Sequence, residues 1–343
     1  MPTHDDDYFM AAALREARKG RGHTSPNPLV GAVLVVGGKI VARGHHERAG
    51  GPHAEIQCLT KFGKRLPRDA VLYVTLEPCS TIGKTGRCTD ALIAAGLRQI
   101  VVGAIDPNPR HNGRGITKLQ RAGMTVRTGV MEKECRELNE SFNKWITTGR
   151  PFVIAKCGMS LDGRLVPPPG EGQWITSPAS RRDAQQLRAQ VDAILVGGET
   201  IRRDNPRLTV RGIMKATQPW RVIVTRSRKL PRNTRVLSDR WKEKTIVYRG
   251  KSLPAVLRDL GKRSVLSVMI EGGGHTLGQA LDDRLIDKVQ IYIGAVFTGG
   301  ATIAFGGRGA GSTSEAARLE RVSFTRIGQD VRVTGYVAGT NSE

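Results

Sequence analysis

Aromatic side chains are scarce in this chain, at 5% of 343 residues, and acidic ones are outnumbered, 31 against 54 lysines and arginines. The first shortage argues against a surface built to stack nucleic-acid bases. The second leaves a net charge of +23, attractive to phosphates on nucleotides or on nucleic acid. The cations are dispersed, however, with clusters such as Arg181-Arg182 and Arg226-Ser227-Arg228-Lys229 set among apolar residues. Such charge reads as a solvated surface, and nucleic acid is not the expected partner. No apolar run approaches the roughly 20 residues of a membrane span. Met1 to Asp7 is acidic rather than the basic-then-apolar start of a signal peptide. Five cysteines, at 58, 79, 88, 135 and 157, make an odd set without the dense framework of small secreted proteins. Reduced thiols in a cytoplasmic protein are the expectation. Neither an internal repeat nor a long low-complexity tract is present.

At 343 residues the chain exceeds most single cores, and about 150 residues per domain suggests two. Thr147-Thr148-Gly149-Arg150-Pro151 is a breaker cluster ahead of an apolar strand, Phe152 to Ala155. Domains over residues 1–147 and 151–343 are therefore expected. In the first, Val30 to Val36 forms a strand leading into Gly37-Gly38, with Lys39 to Arg43 returning as a hairpin. Helix 54–62, strand 71–76, helix 89–96, strand Gln99 to Ala104 and helix 115–122 follow. In the second, Thr176-Ser177-Pro178 starts a helix, with a hydroxyl cap and proline in the first turn, that runs to about Gln190. Strands at Ala193 to Val196, 221–225, 245–248 and 265–270 come next. This alternation predicts α/β sheets with helices on their faces. Pro167-Pro168-Pro169-Gly170 predicts a short stiff loop, and the glycines of 306–309 a flexible one.

His53-Ala54-Glu55, Pro78-Cys79 and Cys88 supply one imidazole, two thiols and one carboxylate. Zinc held by three protein ligands keeps its fourth tetrahedral position for water, whereas structural sites usually fill all four. The metal lowers the pKa of that water to about 7, giving a hydroxide able to attack an amidine-like ring carbon. Glu55 would carry protons from the water to departing ammonia, the role of the non-ligand glutamate in nucleobase deaminases. His53 and Glu55 lie two apart and would diverge in mid-helix. His53 is therefore placed at the entrance of a helix through Ile56 and Leu59, with Glu55 in its first turn. Cys88 opens the helical stretch Thr89 to Ala95, and thiolates at helix N-termini have lowered pKa values. Singly, each residue suits a core histidine or a buried cysteine. Together, with strand Val71 to Leu76 leading in, they predict zinc. Cys58 is expected to pack inside its helix face without chemistry.

Glu271-Gly272-Gly273-Gly274 sits between strand Val265 to Ile270 and a helix from His275 to Asp282. Glycines there let backbone N–H groups approach an anion at a helix N-terminus. The pattern is not G-x-G-x-x-G, so an ordinary Rossmann site is not indicated. Packing alone accounts for such a turn equally well.

Along nearly its whole length the chain resembles the bifunctional deaminase–reductase family of riboflavin biosynthesis. In the first half the resemblance is carried by Thr24-Ser25-Pro26-Asn27-Pro28-Leu29-Val30-Gly31, Gly51-Pro52-His53-Ala54-Glu55, Leu76-Glu77-Pro78-Cys79-Ser80 and Asp106-Pro107-Asn108-Pro109. In the second it is carried by Met159-Ser160-Leu161-Asp162-Gly163-Arg164, Trp174-Ile175-Thr176, Leu187-Arg188-Ala189, the run from Asp204 to Arg211, and Glu271-Gly272-Gly273. The resemblance implies a cytidine-deaminase-like three-layer α/β domain followed by a dihydrofolate-reductase-like domain. It implies zinc-dependent hydrolytic deamination of a cyclic amidine, 2,5-diamino-6-(5-phosphoribosylamino)pyrimidin-4-one. NADPH-dependent reduction of the ribosyl group to ribityl would follow.

The implied zinc ligands are His53, Cys79 and Cys88, with Glu55 as proton carrier. Asn27, His46, Lys84, Thr85, Asp106 and Asn108 fall on pyrimidine and phosphate contacts. Eight residues separate the two cysteines, unlike the Pro-Cys-x-x-Cys of nucleic-acid base deaminases, and Gly83-Lys84-Thr85 offers a cation and a hydroxyl to a ribose phosphate. Gly158, Trp174, Thr200, Asp204 and the turn Gly273, Gly274, His275, Thr276, Leu277, Gly278 fall on dinucleotide positions. Lys156, Gly172, Arg188, Leu208, Arg211 and Glu271 fall on substrate positions, and Arg188 and Arg211 suit a phosphate because guanidinium binds it bidentately. The chain also departs from the pattern. Thr81 stands where the family commonly has histidine, Gly86-Arg87 where it has Pro-Pro, Gly172 where it often has serine, and Arg226 where it has a small residue near the dinucleotide. These departures keep two rivals open: a chain active only as a reductase, and a basic RNA-modifying or nucleic-acid-binding protein on the deaminase fold. Self-association is left open.

Overall fold

Two-residue alternation runs through Ala32-Val33-Leu34-Val35, Leu72-Tyr73-Val74 and Ile100-Val101-Val102, and each run is a strand buried on both faces. The structure, a computed structural model, describes residues 4–81, 86–166, 174–215 and 217–339. It divides into two compact units, Met1–Gly149 and Arg150–Glu343.

The first unit contains α1 (His4–Arg18), β1 (Gly31–Val36), β2 (Lys39–His45), α2 (Ala54–Phe62), β3 (Val71–Leu76), α3 (Cys88–Ala94), β4 (Gln99–Ala104), α4 (Arg114–Arg121), β5 (Thr125–Thr128), α5 (Glu132–Leu138) and α6 (Glu140–Thr148). The sheet order is β2-β1-β3-β4-β5, with β1 antiparallel to both neighbours and β3, β4 and β5 parallel. One face packs Ala32, Leu34, Leu72, Val74, Ile100 and Val102 against Ala54 and Cys58 of α2, Leu92 of α3 and Leu119 of α4. The other packs Val33, Val35, Tyr73 and Val101 against Phe9, Met10 and Leu14 of α1 and Cys135 of α5. The unit is thus three layers, helix–sheet–helix. Gly149 ends α6 in the left-handed region, its N–H bonded to the Trp145 carbonyl at 2.8 Å.

The second unit runs β6 (Phe152–Met159), α7 (Pro178–Gln190), β7 (Ala193–Gly197), α8 (Gly198–Asp204), β8 (Trp220–Thr225), α9 (Arg235–Ser238), β9 (Thr245–Arg249), α10 (Leu253–Lys262), β10 (Ser267–Ile270), α11 (Gly274–Asp282), β11 (Lys288–Ile293), β12 (Leu319–Ile327) and β13 (Asp330–Val337). Its eight strands lie in the order β12-β13-β11-β6-β10-β7-β8-β9. From β11 to β9 every pair is parallel, and β13 and β12 add an antiparallel edge. Ser177 caps α7 by accepting from Ser180 N, with Pro178 in the first turn. Arg221 is fully buried in β8, where its guanidinium grips both Asp239 oxygens at 2.7 and 2.9 Å and the Val236 carbonyl at 2.8 Å. Among the described residues no helix is long and apolar enough to cross a membrane.

The flexible loop expected at 306–309 needs correcting in its first half. Gly306 N donates to the Gly274 carbonyl at 3.0 Å, and a Cβ on Gly278 would lie 2.3 Å from Gly307 N. These glycines allow backbone to pack on α11. The stiff loop expected at Pro167–Gly170 lies outside the described residues.

One close approach positions the first unit's chemistry. A Cβ on Gly44 of β2 would sit 2.4 Å from the Ala54 carbonyl oxygen and 2.8 Å from Cys58 N. Only glycine lets the first turn of α2 lie on the sheet there. Gly44→Ala should therefore lower stability by about 1–3 kcal/mol through overpacking. Gly86→Ala, where nothing among the described residues lies within 4 Å of the new Cβ, should stay within about 0.5 kcal/mol. Urea denaturation of the two variants checks both.

Candidate active sites

Strands β2 and β3 both oppose β1, so they point the same way, and β4 runs parallel to β3. The chain leaves their carboxyl ends at His46, Glu77 and Ile105, and residues with chemistry follow at once. His53 is the N-cap of α2, in extended backbone, which puts Glu55 in the first helical turn. Arg87 caps α3, so Cys88 is its first residue.

His53, Cys79 and Cys88 converge, with ligand atoms all within 4.8 Å of one another. His53 Nδ1 lies 3.1 Å from Cys88 Sγ and 3.6 Å from Cys79 Sγ, and Cys88 N donates to Cys79 Sγ at 3.4 Å. A tetrahedral zinc with ordinary bond lengths separates such atoms by about 3.5–3.8 Å. His53 Nδ1 therefore lies within about half an ångström of that separation from each sulfur, and one nitrogen with two sulfurs suits zinc. The Cys79 thiol is lowered to about 4, first because Cys88 donates to its thiolate and then because His53 does, against the opposing effect of burial. Pairing with Cys79 drives the Cys88 thiol upward, so one negative charge rests on Cys79. The hydrogen bond between His53 and Cys79 raises the imidazole, against the opposing effect of burial.

Glu55 is 2% exposed, and its Oε2 has no hydrogen-bond partner among the described residues. Burial raises its carboxyl, and the nearby His53 charge only partly offsets this. An unpaired buried acceptor costs about 1–3 kcal/mol, so its retention points to a partner arriving with the ligand. Beside it, His46 Nδ1 donates to the Pro52 carbonyl at 3.1 Å. His46 Nε2 is then the acceptor for Asn27 Nδ2 at 3.0 Å, and its ring meets that of His53 edge-on at 5.2 Å. Asp106 is buried, which raises its carboxyl to about 6, while Asn108 N donates to it at 2.9 Å.

Sequence reasoning overlooked Glu77. Its carboxylate accepts from Asp106 N at 3.2 Å, Gly113 N at 2.8 Å and Gly115 N at 2.8 Å. It braces the loop after β4 and the start of α4 against the strand end that carries Cys79. Its place just before Pro78-Cys79 was the only local signal. Lys84 and Thr85 lie outside the described residues.

In the second unit a cavity of about 1880 Å³ opens at the carboxyl ends of β6, β10, β7 and β8. Glu271, just past β10, sits between two cations. Lys156 Nζ lies 3.1 Å from Oε1, while Arg188 reaches Oε2 through Nε at 2.9 Å and Nη2 at 2.7 Å. Burial alone would raise the Glu271 carboxyl, but Arg188 and then Lys156 outweigh it and hold it below its ordinary value. Arg188 Nη1 is also tied to the Thr209 carbonyl at 3.0 Å. Gly158, Trp174, Thr200, Asp204, Leu208, Arg211, Gly273, Gly274, His275 and Thr276 line the same cavity. Thr200 Oγ1 accepts from Gly273 N at 2.9 Å, fixing the glycine turn.

Two members of that turn face elsewhere. Leu277 is buried in the apolar core, and Gly278 abuts the backbone of Gly306-Gly307. Gly172 lies outside the described residues. Tyr292 lines the cavity and was not anticipated, its hydroxyl donating to Asp183 at 2.7 Å with Arg332 on the same carboxylate at 2.8 Å. The Ser160–Arg164 stretch is a structural turn: Asp162 accepts from Ser160 Oγ at 2.6 Å, Thr298 N at 3.1 Å and Gly299 N at 2.8 Å.

Comparison with known proteins agrees in both units. Residues 3–104 match the cytidine and deoxycytidylate deaminase zinc-binding region, and residues 151–333 match the RibD C-terminal domain. The chain is 38% identical to the riboflavin biosynthesis protein RibD of Aquifex aeolicus, over 95% of this chain and 97% of that one. Acinetobacter baumannii RibD superposes with a TM-score of 0.89 at 32% identity, covering 97% and 99% of the two chains. A Thermotoga maritima structure named diaminohydroxyphosphoribosylaminopyrimidine deaminase/5-amino-6-(5-phosphoribosylamino)uracil reductase superposes at 0.87 with 34% identity, covering 98% and 99%.

The thiols separate into two classes that labelling can resolve. Burial pushes Cys58, Cys135 and Cys157 up to about 12 each, so they should resist iodoacetamide while the protein is folded. Chelation should expose Cys79 to rapid labelling at neutral pH, and added zinc should protect it. Peptide mapping reads which cysteine carries the label.

Proposed function

The chain belongs to the RibD family of riboflavin-biosynthesis enzymes, and from that premise we propose which reaction each unit performs and which residues perform it. It has a zinc-binding deaminase domain and a reductase domain. The first unit converts 2,5-diamino-6-(5-phosphoribosylamino)pyrimidin-4-one to 5-amino-6-(5-phosphoribosylamino)uracil, and the second reduces the ribosyl chain of that product to ribityl with NADPH. The observation that carries the reading is the meeting of His53, Cys79 and Cys88 in the same site as the buried Glu55, whose Oε2 has no hydrogen-bond partner among the described residues.

His53, Cys79 and Cys88 would hold zinc, which when bound supplies the Lewis acidity that makes water nucleophilic near neutral pH. Glu55 takes a proton from the attacking water at Oε2 and returns it to the 2-amino nitrogen, so water enters and ammonia leaves. Its raised proton affinity suits a group that must bind and release a proton in one turnover. Asn27, His46, Asp106 and Asn108 contact the pyrimidine and its ribosyl group. The Thr81 and Gly86-Arg87 departures leave the three ligand atoms together, which favours an active deaminase over a reductase-only chain.

In the second unit a bound NADPH would supply the hydride needed at C1′ of the ring-opened ribosyl chain. Gly158, Thr200, Asp204 and the Gly273–Thr276 turn would seat the dinucleotide. Lys156 Nζ, poised on Glu271, is the proton donor for the ring oxygen freed at C1′. Arg188 and Arg211 receive the substrate phosphate. Five free cysteines suit a cytoplasmic protein.

Glu55→Gln should reduce ammonia release by at least about a hundredfold, the scale of a lost general acid–base. NADPH oxidation on pre-deaminated substrate should stay at the parent rate. Following ammonia and absorbance in parallel distinguishes two separate sites from one shared site.

A further inference from the structure

Arg211 reaches the cavity of the second unit from a stretch that belongs to no helix or strand, residues 205–211 between α8 and β8. Thr209 and Val210 are buried there, so their backbone groups are cut off from water and have no strand ladder to join. Side chains take the ladder's place. Arg221 Nη1 donates to the Arg207 carbonyl at 3.3 Å, and Arg188 Nη1 to the Thr209 carbonyl at 3.0 Å. Arg211 N donates to Gln185 Oε1 at 2.9 Å. Gln218, two residues before β8, contributes most: its Oε1 accepts from Val210 N at 2.7 Å, and its Nε2 donates to the Val210 carbonyl at 3.4 Å. One amide thus pairs with both backbone groups of one residue, as a neighbouring strand would. Leu208 in the same stretch stands at φ 49°, a left-handed conformation that leucine keeps only where its surroundings hold it. Unlike Gln185, Arg188 and Arg211, Gln218 is not among the described residues lining the cavity.

We propose that Gln218 is a positioning residue for the second unit's reaction: it fixes the register of residues 208–211 and so aims the Arg211 guanidinium at the substrate phosphate. The proposal rests on the reading above that Arg188 and Arg211 receive that phosphate. The two arginines are held differently. The Arg188 guanidinium is fixed by its own contacts to Glu271 and to the Thr209 carbonyl. The Arg211 guanidinium has no hydrogen-bond partner among the described residues, so the backbone it grows from decides where it can reach. Burial, and after it the charge of Arg188, lowers the proton affinity of Arg211, so the two cations stand close enough to repel each other. Left to itself the segment would relax by carrying Arg211 away, and the Gln218 amide opposes that movement. A bidentate guanidinium contact tolerates little displacement, because two N–H groups must meet two oxygens in one plane.

The test uses the full chain and follows NADPH oxidation on the pre-deaminated phosphorylated substrate and on its dephosphorylated counterpart. Gln218→Met keeps the length of the side chain and removes both hydrogen bonds. It should raise KM for the phosphorylated compound about tenfold, the scale of one charge-assisted hydrogen bond, with kcat held within about threefold. KM for NADPH and for the dephosphorylated compound should match the parent. Gln218→Glu, which keeps an acceptor for Val210 N, should recover most of the loss. An unchanged KM in Gln218→Met overturns the proposal, even where its melting temperature falls, because a purely structural amide would do just that. So does an equal rise for both compounds, or a Gln218→Glu protein no better than Gln218→Met. Arg211→Ala keeps the two layers apart. If it leaves KM for the phosphorylated compound unchanged, the phosphate reading falls and this proposal with it. A rise there beside no change in Gln218→Met overturns the positioning role alone.

Discussion

A carboxylate taken out of water must be matched by a cation or accept a proton, and both halves of this protein are arranged around that choice. Glu55 is buried and Glu271 nearly so, yet their proton affinities move in opposite directions. Arg188 and Lys156 hold two sides of Glu271, and their combined field exceeds the cost of burial. Around Glu55 the neighbouring His53 charge and hydrogen bonds from backbone and Cys88 offset desolvation only in part, and its Oε2 has no partner among the described residues. The first is an anion fixed between two cations; the second is a carboxyl whose hold on its proton is strengthened by burial. Pushing like groups apart in this way is how one protein separates an electrostatic role from an acid–base role.

Both sites occupy the carboxyl ends of parallel strands, where the chain must turn and backbone N–H groups are released from the ladder. What is done with those groups differs. In the first unit Glu77 collects three of them and converts loose strand ends into a braced rim beside His53, Cys79 and Cys88. In the second, Thr200 and Asp162 secure the glycine turn and the 298–299 segment, leaving an open cavity between them. Rigid rims suit a site that must hold three ligand atoms within a few tenths of an ångström. An open cavity suits a dinucleotide and a sugar phosphate side by side.

Much of the fold was legible because buried strands advertise themselves. Val71 to Leu76 and Gln99 to Ala104 are continuous apolar runs between breakers, and the strands observed have those bounds. The helix over 54–62 likewise matches its expected span. The hairpin of β12 and β13 passed unseen because Leu319 to Phe324 is exposed throughout, so its side chains carry no buried-to-exposed alternation. Helices α8 and α10 were missed too, the first short and the second led by Ser252-Leu253-Pro254, a start signal without a charged cap. The glycines at 306 and 307 resembled loop residues because the α11 backbone they press against is about 30 positions away in sequence.

The order of residues by itself determined which chemistry was present. One imidazole, two thiols and a nearby carboxylate suit zinc and proton transfer whatever the fold, and glycine before a helix suits close backbone approach. Convergence was a tertiary matter. Cys79 and Cys88 meet His53 only because β3 and α3 return to the N-terminus of α2, which Gly44 allows to rest on the sheet. The bracing by Glu77 and the pairing of Glu271 with Lys156 and Arg188 join residues 29 to 115 positions apart. No local pattern encodes such partners, because a hydrogen bond depends on distance in space and the chain sets that distance only after it has folded.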